Sequence, residues 1–286
     1  MAEKFIQPIE NQELHRSPHS AYVNIDFMRR QYLVPAAKRA LEVIELLSRA
    51  DAGMSLSEIH RSLRLPLSSA ANIVYTLQTL GYLERNADNS RYRLSLKMLS
   101  ISQRLLGYLD IPRRCHDLLE DLVQESGLTG HLAVLRDGES IYIDRAASNG
   151  LVQFSTYVGM RWPAHCSAVG KALLAFLGDA ELRTALQHLS LYKVTPRTIS
   201  SRRALENQLR SFHRLGYTWE MEEGEMGVAC VAAPLYGDRG QLVAAVSVAG
   251  TIQQIPKGRI KEVGAKVKRY GQMMSARLGT GSSAAS

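Results

Sequence analysis

The sequence predicts an α+β protein of two domains, a winged helix-turn-helix joined by a linker helix to a larger domain built on an antiparallel sheet. Three observations carry that expectation. Residues 34–94 hold three short helical patterns followed by two extended segments around a polar turn. Beyond about residue 130 the apolar period switches from that of a helix to two, in segments clustered with helical ones rather than strictly interleaved with them. The length of 286 residues suits two domains, and 45% hydrophobic with 22% charged residues is the composition of a globular chain, which excludes wholesale disorder.

The first 33 residues are polar, contain Pro8 and Pro18 and keep no period, so they read as a mobile N-terminal arm. After Pro35, Ala40, Val43, Ile44 and Leu47 fall on one helical face. Asp51-Ala52-Gly53 breaks that helix, and Ser55 with Glu58 three residues later reads as a capping box opening a second, from which Leu56, Ile59 and Leu63 face inward. A third start lies at Ser68 or Ser69, with Ala70, Ile73, Val74, Leu77 and Leu80 at helical spacing before Gly81. Residues 82–85 and 91–94 then form a short hairpin around Asn86–Ser90. The pattern over 95–109 is helical and unusually apolar, which reads as a buried linker or a dimer contact, and residues 114–127 form an amphipathic helix beyond Pro112. A β-hairpin is expected at 131–135 and 140–144, a third strand at Leu151–Val158, helices near 167–177, 179–188 and 202–214, strands at Gly227–Leu235 and Gln241–Ala249, and a last helix over about 257–278. The expected domains are thus 34–94 and 112–279, with residues 95–111 as linker helix and 280–286 as a frayed tail.

Charge and motif arithmetic remove several functions. There is no apolar run of membrane-spanning length and no signal-peptide core, and Cys115, Cys166 and Cys230 lack disulfide or CxxC spacing, so a cytoplasmic protein without a membrane partner is expected. The net charge of +8 is diffuse: residues 1–110 carry 14 basic and 11 acidic side chains, residues 111–286 carry 21 and 16. Any polyanion must therefore be recognised by a few placed cations rather than by bulk charge. Gly170-Lys171 lacks the remaining positions of a phosphate loop, since His165 and Ala172 stand where Gly and Ser or Thr would be needed. Ser167 and Lys171 are four apart, not the three of a serine acyl-transfer pair, and no third group orients His165 and Cys166. Neither an enzyme nor a metal site or cofactor is expected, because no pair among Cys115, His116, His131, His165, Cys166 and Cys230 shows a zinc-ligand spacing.

The segments Leu65–Ala70, Leu80–Arg85 and Tyr92–Leu94 resemble the DNA-binding domain of the IclR family of bacterial transcription regulators. The second half resembles that family's effector domain more closely still, through Gly159–Ala172, Gly216-Tyr217 with Glu222-Glu223, Gly227–Pro234 and Ala244–Gly250. The resemblance covers about residues 34–279. It implies a homodimer or dimer of dimers whose subunits each pair a winged helix with a GAF-like small-molecule domain, and no catalysis. Two departures stand out. Arg64 occupies a position where the family often has Gly, so the turn must avoid a positive φ or tolerate strain. Leu67 and Asn72 stand where relatives often carry Lys and Arg, so the operator cannot be read from them.

On the third helix, the inward set leaves Ser68, Ser69, Asn72, Tyr75, Thr76 and Thr79 on other faces. A helix N-terminus in the major groove presents such residues to bases and phosphates, and Asn can pair bidentately with adenine, so Ser69 and Asn72 are the expected readers. Arg91 and Arg93 share one face of the second wing strand and can meet phosphate or a minor groove. Lys38 and Arg39 serve either as backbone-positioning contacts or as ordinary surface charge. The partners expected are double-stranded operator DNA, a small carboxylate effector and the chain itself. In the family the ligand lies against the start of the helix near Ser167 and against the last two strands, which here points to Ala168, Val169, Glu220, Cys230, Ser247 and Ala249. The free amides of that helix start suit a carboxylate. Ala249 replaces a hydroxyl found in some relatives, which favours an apolar or aromatic acid. The competing expectation is a DNA-binding protein whose second domain serves only oligomerisation.

Overall fold

The computed structural model describes residues 33–107, 109–150 and 152–279, with the side chain of Leu106 left out. The arm expected over 1–33, apart from Leu33, and the tail expected over 280–286 lie outside the described residues. The chain divides between Ser100 and Ile101 into two compact units, inside the stretch expected as linker helix.

In the first unit, helix α1 (Pro35–Leu47) starts on proline, whose missing N–H costs nothing at a helix's first position. Helix α2 (Leu56–Ser62) carries the predicted capping box: Glu58 N–H donates to Ser55 Oγ at 3.3 Å and Ser55 N–H to Glu58 Oε2 at 2.7 Å. The turn into helix α3 (Leu67–Thr79) places Arg64 at φ +52°, so the strained alternative is the one realised. Helix α3 begins one residue earlier than the serines suggested, because Pro66 pre-sets the entry. Strands β1 (Leu83–Arg85) and β2 (Tyr92–Leu94) pair antiparallel as the wing. Met54 adds to its edge by exchanging hydrogen bonds with Tyr92 at 2.7 and 2.9 Å. That approach requires Gly53, at φ +67°, where a Cβ would sit 2.6 Å from the Tyr92 carbonyl oxygen. Val43, Leu47, Ile59, Val74, Leu77 and Leu83 form the core of this unit.

Helix α4 (Leu96–Gly107) spans the division. Helix α5 (Asp110–Ser126) then begins before Pro112 rather than after it, since a proline in the first turn removes no helical hydrogen bond. Six strands form one antiparallel sheet in the order β5-β4-β3-β8-β7-β6: β3 (Thr129–Arg136), β4 (Glu139–Ala146), β5 (Arg161–Pro163), β6 (Thr218–Met221), β7 (Val228–Tyr236) and β8 (Leu242–Thr251). Strands β5 and β6 are short and escaped the sequence reading.

The strand expected at Leu151–Val158 is corrected. Residues 152–157 are irregular, and the strand that pairs with β4 on this side, at Glu139–Ile141, is β5. Side chains hold the segment instead: Arg145 donates to the Phe154 carbonyl at 3.1 Å and Gln153 to the Ser148 carbonyl at 2.8 Å. One sheet face packs on α5 and on helix α9 (Ile260–Gly279) through Leu132, Val231, Leu235, Val246 and Val248. The other face receives helix α6 (Ala168–Ala175), on whose far side pack α7 (Asp179–His188) and α8 (Arg202–Leu215). No described helix is long and apolar enough to cross a membrane.

Candidate functional site

Helix α3 buries Ala70, Val74 and Leu77 and thereby turns Ser68, Asn72, Tyr75 and Thr76 outward, with Ser69 at the margin. Its N-cap is Pro66, so no side chain caps it and its first turn holds no acidic residue. The leading N–H groups are therefore open to an anion. Thr76 donates to the Asn72 carbonyl at 2.8 Å, a bond that leaves the Asn72 amide unengaged by it. Tyr75 is 70% exposed, which is unusual for so large a ring and suits a contact surface.

The two wing arginines do different things. Arg93 is exposed and pairs with Glu84 across the hairpin at 2.6 Å. Arg91 points back into the unit, donating to the Gly53 carbonyl at 3.1 Å and pairing with Glu58 at 2.9 Å, so it fastens the wing to the cap of α2. Lys38 reaches Glu42 one turn on at 3.6 Å and is exposed, while Arg39 is partly covered.

The second candidate site is the sheet face beneath α6. Ser167 caps that helix by accepting from Gly170 N–H at 3.1 Å, which leaves the amides of Ala168 and Val169 without a cap bond, and both residues are buried. Thr218 on β6 donates to the Ala168 carbonyl at 2.7 Å and so fixes the helix start over the sheet. Strand register does the rest. Glu220, Cys230 and Ala249 are consecutive partners across β6, β7 and β8, and Ser247 lies two residues along β8, on the same face. All six residues expected from the sequence thus come to one wall.

The electrostatics of this wall are those of a dry interior. Burial pushes the Glu220 carboxyl up to about 7 despite hydrogen bonds from Glu223 N–H, at 2.9 Å, and from the Cys230 thiol. Burial and the neighbouring carboxyl also push the Cys230 thiol well above its ordinary value. At and below neutrality Glu220 can therefore be a protonated donor rather than an anion that repels another carboxylate.

The structure adds residues that sequence reasoning missed. Lys171, wholly buried on α6, forms an ion pair with Glu223. Glu223 Oε2 accepts from Ile199 N–H at 3.4 Å and its carbonyl accepts from Thr198 Oγ1 at 2.7 Å, so α6 is tied to two loops at once. A lone lysine within the otherwise apolar stretch Ala168–Ala175 was the available signal. His131 and Tyr142, stacked with ring centroids 4.3 Å apart, and Thr129 also belong to this sheet face, and nothing in an alternating strand distinguishes them beforehand. Among the described residues no group of three His, Cys, Asp or Glu is placed to hold a metal.

Comparison with known proteins identifies both domains. Residues 103–276 match the family described as bacterial transcriptional regulator IclR C-terminal, and residues 36–87 match the IclR helix-turn-helix domain. The chain is 29% identical over 247 residues to the HTH-type transcriptional regulator XynR of Escherichia coli, covering 86% of this chain and 98% of that protein. It resembles the crystal structure of the Thermotoga maritima IclR with a TM-score of 0.70 at 29% identity, covering 85% of this chain and 98% of the other. An IclR homologue from Microbacterium hydrocarbonoxydans, crystallised in complex with 4-hydroxybenzoate, shares the fold with a TM-score of 0.73 at 24% identity over 85% of this chain and 98% of its own.

Proposed function

Because the chain belongs to the IclR family of bacterial transcriptional regulators, we propose that it is a sequence-specific DNA-binding regulator whose operator affinity is set by a small organic or aromatic carboxylate held on the α6 face of the C-terminal sheet. The observation that carries this reading is the buried polar wall itself. Two helix-start amides, a carboxyl that burial keeps protonatable near neutrality and a serine surround small residues on one buried sheet face. Such a wall costs stability unless a ligand uses it. The ligand carboxylate takes the amides of Ala168 and Val169 and accepts a hydrogen bond from protonated Glu220, while Ala249, Cys230 and Ser247 line its body. That the Microbacterium homologue binds an aromatic acid supports the ligand class.

At the other end, Ser69 and Asn72 read bases, Ser68 and Tyr75 together with Lys38 and Arg39 meet the backbone, and Arg93 enters from the wing. Arg91 holds the wing in place. The physical coupling is linkage: a ligand that favours one quaternary arrangement shifts the population towards it, and DNA with fixed half-site spacing must respond reciprocally.

The test is binding of the full chain to its own upstream DNA across a salt series, with and without a panel of aliphatic and aromatic carboxylates. Asn72→Ala should change which operator variants are preferred, at about 1–3 kcal/mol for the affected base, whereas Arg93→Ala should weaken all sequences and reduce the salt slope by about 1. Equal losses on every sequence for both variants would refute the division of roles. Specific binding that no acid shifts would favour the second domain as an oligomerisation module, a reading that the exposed apolar side chains of α4 keep in view.

A further inference from the structure

Among the buried polar atoms without a hydrogen-bond partner, Thr129 Oγ1 and His131 Nδ1 lie on the same strand and the same, α6-facing, side of the sheet. Gly130 between them faces the opposite way, since a Cβ there would lie 2.7 Å from Val123 and 2.9 Å from Leu119 on α5. Thr129 and His131 therefore project together towards α6. Both lie on β3, three strands from β6, and beyond His131 the register continues to Arg145 on β4. Glu220, Cys230, Ala249 and Thr129 are partners in succession across β6, β7, β8 and β3, and Thr218, Ala232, Ser247 and His131 form the adjacent row. Between the polar ends every residue is small. The wall is thus polar at both ends and narrow-chained in the middle, the complement of an elongated molecule with a polar group at each end.

An unpaired buried donor or acceptor costs about 1–3 kcal/mol, and such groups are rare in native interiors, so two adjacent ones on a single wall call for a ligand atom. Their chemistry narrows what that atom is. His131 is held by its stack on Tyr142 and by a 2.8 Å contact from Nε2 to Thr156 Oγ1. Thr156 already accepts from Arg145 Nε at 3.0 Å, and when its hydroxyl donates a hydrogen bond to Nε2 the ring proton sits on Nδ1 as a free donor. Burial drives the His131 pKa down to about 3, so the ring stays uncharged. Arg145 is occupied on the Thr156 side of the ring, where its guanidinium also donates to the Phe154 carbonyl. The two open atoms thus offer neutral hydrogen bonds and no cation.

We propose that the effector carries, besides its carboxylate, an uncharged oxygen at its far end, and that Thr129 and His131 select it by receiving that oxygen. This rests on the reading that places the effector on the α6 face. The β3 and β6 backbones are three strand spacings apart, about 14 Å. Allowing about 3 Å for the hydrogen bond at each end, the ligand's polar groups are about 8 Å apart.

Calorimetric titration of the full chain with 4-methylphenylacetate, 4-hydroxyphenylacetate and 4-(carboxymethyl)benzoate tests this, because methyl and hydroxyl are close in size and the third acid places a charge at the far end. The hydroxy acid should bind about tenfold more tightly than the methyl acid, the worth of one satisfied buried hydrogen bond. Thr129→Val and His131→Gln, each checked for a thermal midpoint no lower than that of the unaltered chain, should bring the two to equal affinity while leaving the methyl acid within about twofold of its original value. Equal binding of hydroxy and methyl acids to the unaltered chain, or tightest binding of the diacid, overturns the proposal. In that case loss of methyl-acid binding in Cys230→Leu still upholds the effector site. Binding that Cys230→Leu leaves untouched, or binding of none of the three acids, overturns the proposal and the site together.

Discussion

Arg64 shows how one residue can hold conformational energy in its backbone alone. It sits at φ +52° in the turn between α2 and α3, exposed, where a side chain costs about 1–2 kcal/mol relative to the right-handed region. Arg64→Gly should relieve that cost, less the larger entropy glycine loses on folding, for a net gain of about 0.5–1 kcal/mol. Hydrogen exchange of the core amides of α3 should then slow by about two- to fivefold; unchanged exchange would mean the turn is unstrained as it stands. Glu220 holds energy of another kind. Its folded pKa of about 7 lies above the ordinary carboxyl value, so between about pH 4.5 and 7 the folded chain keeps a proton that the unfolded chain has released. Stability must fall as pH rises through that window, by about 3 kcal/mol for a shift of this size, and level off above it. Glu220→Gln should remove the slope in urea unfolding followed by tryptophan fluorescence. A slope that survives the substitution would place the proton elsewhere.

Whole elements are joined by contacts of the same sort. His116 on α5 bonds through Nδ1 to Asp144 on β4 at 2.9 Å, with Glu120 at 3.5 Å, and the Asp144 hydrogen bond raises the histidine's pKa. A histidine whose folded pKa is raised contributes stability that is complete below its unfolded value and is lost as pH rises through the folded one. The thermal midpoint should therefore decline from about pH 6.5 upwards, a window above that of Glu220, and His116→Asn should flatten the decline there while leaving the lower window unchanged. Legibility at this scale followed the locality of the cause. The capping box of α2, the 131–144 hairpin and the α3 core face were readable because each is fixed by neighbours within a turn of chain. Strand β6 was not, since four residues carry too little periodicity and its pairing with β7 is tertiary. The segment before β5 alternates like a strand, yet Arg145 captures its backbone at Phe154 and its own Gln153 reaches back to the Ser148 carbonyl. The six residues of the proposed effector wall were legible only through family resemblance. Thr129, His131 and the Lys171–Glu223 pair depend on which strands become neighbours, and no local pattern encodes that.

At the scale of the molecule the open question is what covers α4. Leu96, Leu99 and Leu105 are 78%, 55% and 62% exposed, and Ile101 is 46% exposed, on a helix that lies across the division between the two units. Water-facing leucines at this density mark an association surface, and a second copy of the chain is the occupant consistent with a helix-turn-helix domain, since dimers of that motif read paired half-sites. The energetic consequence is large because the reading helix is small. One winged helix has only a few groups to place against phosphate and base, whereas two held at fixed spacing bind with the second contact made intramolecular, which raises affinity by about 10²–10⁴ without any new interaction. Leu99→Glu with Leu105→Glu adds two charges to that surface while touching no residue of the α3 face or the wing. Light scattering should show the variant falling to a smaller species, and operator affinity should drop by about two to four decades, while affinity for a single half-site stays within about twofold. If the variant keeps its size and its operator affinity, α4 is not the joint, and the effector signal must travel between subunits by another surface.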